Sequence, residues 1–191
     1  GIPHHYNIPC VGALQWQRRN TTTTRPFTVG MVGMHSKVAA EELSRRLGPS
    51  MRVLLEPEQQ LPAFLFKKAD ICDYFNRIDL AVAWNQMGKH MVHEWIKPAE
   101  RFTNPLLFGI PTVGFAGYAS YRDYGPSPFL CHHLECVTEI VRLVQNGGLK
   151  EEYQVLRKRV SEHLQTVPAA YNRLFSEISM GSLRVTITPA N

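Results

Sequence analysis

The chain has 191 residues, of which 44% are hydrophobic and 19% charged, the make-up of one soluble globular domain with a sizeable core. A net charge of +5 and a pI of about 9.1 suit a polyanionic ligand such as a nucleotide. Lys and Arg are not clustered as on a nucleic-acid surface, and no apolar run approaches the roughly 20 residues of a membrane span.

In chain order, residues 1–25 read as an irregular segment and linker, with Ile2-Pro3-His4-His5 near its start and a Thr21 to Thr24 turn at its end. Phe27 to Gly33 predicts a buried strand closed by a glycine turn. Ser36 caps the helix that follows, with Val38, Leu43 and Leu47 inward and Gly48-Pro49 as its stop. Met51 to Leu55 is the next strand, Pro57 to Pro62 a loop and Ala63 to Phe75 a helix. Ile78 to Trp84 is a continuous apolar run of the length of a buried parallel strand, with Trp84 in the core.

Lys97 to Gly109 predicts a helix with Pro98 in its first turn and Gly109 at its end, running into a strand from Ile110 to Val113. Lys97, Arg101 and Asn104 fall at i, i+4 and i+7 on one face, while Phe102, Leu106 and Leu107 flank it toward a sheet. Two cations and an amide at a helix N-terminus form an anion site, because unpaired N–H groups and the helix dipole add to the side-chain charges. The ligand class this names is phosphate or diphosphate. The competing reading is an exposed helix face paired with Glu94 or Glu100.

Gly114 to Pro128 reads as a long loop holding Tyr118, Tyr121 and Tyr124 with Arg122 and Asp123. Its tyrosines either stack on a base or sugar or cover the sheet edge, and Asp123 is its candidate base. Phe129-Leu130 forms a last short strand. His132 to Gln145 is a helix with Leu134, Val137, Ile140, Val141 and Val144 inward, ended by Gly147-Gly148. Leu149 to Leu164 is another, striped by Tyr153, Leu156, Val160 and Leu164, and Pro168 to Ile178 a third. The tail from Gly181 alternates like a strand.

Cys10, Cys72, Cys131 and Cys136 are too sparse for a disulfide framework and fit a reducing, cytoplasmic compartment. Cys131-His132-His133 followed by Cys136 matches no usual paired zinc-ligand spacing, and Cys136 falls on the apolar face of its helix. His90 and His93 lack a partner carboxylate beyond Glu94. No metal site is expected.

Alternating strands and helices imply right-handed βαβ units: an α/β, Rossmann-like parallel sheet of about five strands with helices on both faces. Ligands on such sheets bind beyond the carboxyl ends of the strands. Gly33 to Lys37, Asn85 to His90, the Lys97 segment and the tyrosine loop all fall on that rim. Gly30 and Gly33 do not fit the dinucleotide fingerprint, and no P-loop is present, so nicotinamide chemistry is disfavoured. Gly33 and Ser36 either contact phosphate or form only a tight turn.

This order of elements resembles the C-terminal, nucleotide-sugar-binding half of a GT-B glycosyltransferase. The resemblance rests on Ile2-Pro3-His4-His5 followed by Val29-Gly30-Met31-Val32-Gly33, on Lys97-Pro98-Ala99-Glu100-Arg101 continuing to Asn104 and Gly109-Ile110-Pro111-Thr112-Val113, and on the closing helices. It covers roughly residues 25 to 178. It implies a donor diphosphate resting on Gly33 with Ser36, a cradle completed by Lys97 and Arg101, and Glu100 at the ribose or sugar. The second acidic residue such enzymes often carry about seven positions on is replaced by Leu107 or Phe108, which puts the paired-acid retaining mechanism in doubt. The resemblance also implies a second domain or subunit carrying the acceptor contacts.

The reading is therefore a donor-binding domain over residues 26–178, with residues 179–191 as a C-terminal tail. Its ligand contacts are Gly33, Ser36, Lys97, Glu100, Arg101, Asn104, Tyr118 and Tyr121. The nucleotide sugar is its substrate, with no further cofactor and no metal required. The alternatives are a non-catalytic interaction or homo-oligomerisation module on the same fold and, third, a basic RNA-binding surface.

Overall fold

The structure, a computed structural model, describes residues 25–32, 37–55, 73–84 and 100–179. Five parallel strands form one sheet: β1 (Phe27–Met31), β2 (Met51–Leu55), β3 (Leu80–Ala83), β4 (Thr112–Phe115) and β5 (Leu130–Cys131), in the order β2-β1-β3-β4-β5. The helices are α1 (Lys37–Leu47), α2 (Glu100–Phe108), α3 (Ala119–Arg122), α4 (Leu134–Gln145) and α5 (Lys150–Ser179), with a further helical turn at residues 73–76. This is the α/β parallel architecture expected.

The two faces of the sheet differ in side-chain size, and that difference decides what packs where. The register pairs Val29 with Leu80, Met31 with Val82 and Val82 with Val113, so large aliphatic side chains share one face. Against it lie α1, through Ala39, Ala40, Leu43 and Leu47, and α4, through Val137, Ile140 and Val141. The opposite face presents Gly30, Ala81, Ala83 and Gly114, aligned by the same register. Small residues let helices approach closely, and their aromatic side chains fill the space. A Cβ on Gly30 would collide with Ile78 and Tyr74, and one on Gly114 with Tyr121 and Phe102. Tyr74 also donates its hydroxyl to the carbonyl of Met31. α5 closes this side by packing on α2.

Helix ends follow the glycines. Gly109 has φ of 95°, a left-handed value at little cost for glycine. It lets the Ile110 N–H reach back to the Pro105 carbonyl and the Gly109 N–H to that of Leu106, the double closure that ends a helix. Gly147 and Gly148 end α4 in the same way.

Four expectations are corrected. Val38 is 78% exposed: it lies five positions before Leu43, about 140° around the helix, and Ala39 and Ala40 take the inward places. The strand after α2 begins at Thr112 rather than Ile110 and includes Gly114. Pro111 has no N–H for the ladder, and Thr112 turns its own hydroxyl onto the Ile110 carbonyl. The tyrosine loop contains the short helix α3. Finally, α5 is one 30-residue helix running through Pro168. The residues flanking that proline, Ala169 and Ala170 among them, are strong helix formers, and one missing N–H does not end the helix.

The expected helix from Ala63 lies outside the described residues up to position 72, as do both chain termini.

Candidate functional site

In a doubly wound sheet the ligand crevice opens where successive connections leave in opposite directions, at the carboxyl ends of the strands. Here that point lies between β1 and β3, because the chain passes from β1 to β2 on one side and returns to β3 on the other. Its floor is Met31, Val32, Ala83 and Trp84, all buried. The ladder continues one step past β1 through the Val32 N–H to the Val82 carbonyl, 2.9 Å.

Trp84 is 1% exposed, and its ring packs edge-on against Phe115 with centroids 5.0 Å apart. It is a core residue, as its position in an apolar run implies. Its indole Nε1, however, is buried without a hydrogen-bond partner among the described residues. An apolar run gives no sign of an unsatisfied donor at its end, so the sequence did not reveal this feature.

Past the same edge the chain enters α2. Glu100 is its first residue, Arg101 its second, and Asn104, half-buried, follows three positions later. Arg101 is half-buried, and its Nη1 is buried with no hydrogen-bond partner among the described residues. Its charge is felt at the Tyr121 hydroxyl: burial, and then Tyr118, hold that phenol well above its ordinary pKa, while Arg101 pulls it down. Pro105 cannot donate to the Arg101 carbonyl four residues earlier, so the backbone at Arg101 is also left short of one helical bond.

Tyr118 and Tyr121 are each 2% exposed. Tyr121 stacks on Phe102 at 4.8 Å and 21°, and Tyr118 meets Phe115 and Tyr121 edge-on at 5.3 and 5.1 Å. Of the two roles the sequence left open, packing occupies the faces that stacking on a base would need. Tyr124 is also buried, with Phe102 and His163 around it. Burial, and then the charge of Asp123, push its pKa up to about 12. Asp123 itself is exposed on the turn after α3.

Gly33, Ser36 and Lys97 lie outside the described residues, as do His90, His93 and Glu94. The structure places Arg101 and Asn104 in the first half of α2, with the Arg101 charge near Tyr121, and buries Tyr118 and Tyr121. Lys37, exposed at the start of α1, lies with Val53 and Leu55 along a cleft of ≈ 480 Å³ between α1 and β2.

The cysteine reading is also corrected. Cys131 and Cys136 form a disulfide with Cα atoms 5.6 Å apart. The five-residue step from the end of β5 into the first turn of α4 brings them within bridging distance, which a count of cysteines does not register. Neither sulfur is then a thiolate ligand. Among the described residues no three His, Cys, Asp or Glu side chains group so as to hold a metal ion, and no helix is long and apolar enough to cross a membrane.

No protein-family profile, curated protein or solved structure matches this chain.

Proposed function

We propose that the chain binds a nucleotide-sugar donor at the carboxyl edge of its sheet, as the donor domain of a glycosyltransferase. The observation that carries the reading is Arg101: a guanidinium nitrogen buried in the first turn of α2 with no hydrogen-bond partner among the described residues, at the edge where parallel α/β sheets take their ligands. A buried, unsatisfied cationic donor is costly, and a diphosphate oxygen satisfies it.

In this scheme Arg101 and Lys97 neutralise the charge that develops on the diphosphate as the glycosyl bond breaks, and the N-terminal dipole of α2 adds to them. Gly33 and Ser36 carry the phosphates on the β1 side. Glu100 and Asn104 orient the ribose or sugar. Tyr118 and Tyr121 act beneath the site, holding the chain after β4 against α2 rather than touching the ligand. A second domain or subunit brings the acceptor.

The test is a thermal-shift titration against UDP, GDP, ADP, CMP and their sugar conjugates, run beside Lys97→Ala and Arg101→Ala. A ligand at 100 times its Kd adds about 2.7 kcal/mol of stability. A base-selective shift lost in both variants is the expected result. No shift with any nucleotide overturns the donor reading in favour of a non-catalytic interaction module.

A further inference from the structure

At the opposite, amino-terminal edge of the sheet a second cleft gathers three arginines. Its volume is ≈ 210 Å³, and its lining is Arg25, Pro26, Thr28, Arg52, Leu54 and Arg77. The register explains the grouping. Thr28 pairs with Arg52 and Gly30 with Leu54, so these side chains share the small-residue face of the sheet, and Arg77 follows the helical turn that packs there.

Among the described residues, one of the three cations is neutralised by an ion pair. Arg25 bonds Asp79 at 2.5 Å and the Arg77 carbonyl at 2.7 Å, while the other Asp79 oxygen accepts the Thr28 N–H at 2.8 Å. The Asp79 carboxylate is thereby committed to tying the amino ends of β1 and β3 together. Arg52 and Arg77 are exposed, and neither guanidinium has a hydrogen bond or ion pair among the described residues. Arg52 and Arg77, exposed and unpaired among the described residues, thus line a concave surface that is almost wholly apolar and includes Pro26 and Leu54.

We propose that this cleft binds a small organic anion, a phosphate or carboxylate joined to an apolar body of about one ring. Guanidinium forks match both anions in a two-pronged geometry. A cavity of roughly 150 Å³ takes a benzene ring, so the cleft has room for a ring and its anionic group. The apolar surface distinguishes this ligand from a bare inorganic ion. The site is separate from the carboxyl-edge crevice, and its failure leaves the donor reading untouched.

The experiment is isothermal titration of the full chain with phenyl phosphate, benzoate, inorganic phosphate and phenol. Phenyl phosphate or benzoate is expected to bind with one site per chain, about tenfold tighter than inorganic phosphate or phenol. Arg52→Gln and Arg77→Gln each weaken it about fivefold, and Lys150→Gln, on a distant surface, does not. Arg52→Lys keeps the charge and loses the fork, so it gives an intermediate loss. The proposal is overturned by no saturable binding up to about 10 mM. It is equally overturned by equal affinity for phenyl phosphate and inorganic phosphate, or by binding indifferent to both arginine variants.

Discussion

The ring of Phe102 lies flat on that of Tyr121, with centroids 4.8 Å apart and planes 21° from parallel, directly over the backbone of Gly114. α2 supplies one ring, α3 the other and β4 the glycine, so three elements meet at a point where only a hydrogen fits. A Cβ there would lie 2.7 Å from Tyr121 and 2.8 Å from Phe102. Gly114→Ala must therefore push both rings off the sheet. The expected cost is about 1–3 kcal/mol, read as a lower midpoint in urea unfolding at unchanged slope. An unchanged midpoint would mean that this packing is loose.

That contact also shows how much the sequence could tell. Periodicity located β2, β3, α1 and α4, and glycine stops located the ends of α1, α2 and α4, because those signals are local. The sequence of Gly114, by contrast, reads as the start of a loop. Its place in β4 depends on the partner strand β3 and on two aromatic rings from separate helices, none of which is adjacent in the chain. The same limit applies to the site. The place of Arg101 in the first turn of α2 was legible from spacing alone. The burial of Tyr118 and Tyr121 was not, because an aromatic, glycine-rich segment has one composition whether it lines a pocket or covers a sheet.

The buried phenols make stability fall in strong alkali. Tyr124 has its pKa pushed up to about 12 by burial and then by Asp123, against about 10 in an unfolded chain. The folded state therefore keeps a proton that the unfolded state loses. Its stabilising effect is fully present below pH 10 and disappears as pH rises through 12. Between those limits this one group lowers stability by about 1.4 kcal/mol per pH unit, and Tyr121, also raised, acts in the same direction. In a series of urea titrations across this range, Tyr124→Phe should show the shallower fall. Parallel curves for the two proteins would mean that Tyr124 ionises freely in the fold.

The Cys131–Cys136 bridge joins the end of β5 to the first turn of α4 across a sequence separation of 5. A loop this short restricts the unfolded chain modestly, and the chain-entropy relation gives about 2 kcal/mol. Cys136→Ser should lower the unfolding free energy by about that amount under non-reducing conditions. In the parent protein, a reductant should produce a matching loss and leave the variant unaffected. Peptide mapping without reductant should recover residues 131 and 136 in one linked fragment. Two alkylated cysteines at those positions in unreduced protein would refute the bridge.

Arg101 offers a way to separate stability from binding. Its Nη1 is buried without a hydrogen-bond partner among the described residues, and an unsatisfied donor of this kind costs about 1–3 kcal/mol. Met has similar length and no donor, so Arg101→Met removes that cost and keeps most of the packing of the side-chain stem. The ligand-free variant is therefore expected to be as stable as the parent or more so. If Arg101 serves a diphosphate, the same variant should lose the stabilisation that nucleotides confer on the parent. Gain or constancy in one measurement and loss in the other is the signature of a residue retained for a ligand. A drop of more than about 2 kcal/mol in the ligand-free variant would instead make Arg101 a structural residue, and the carboxyl-edge site would lose its central cation.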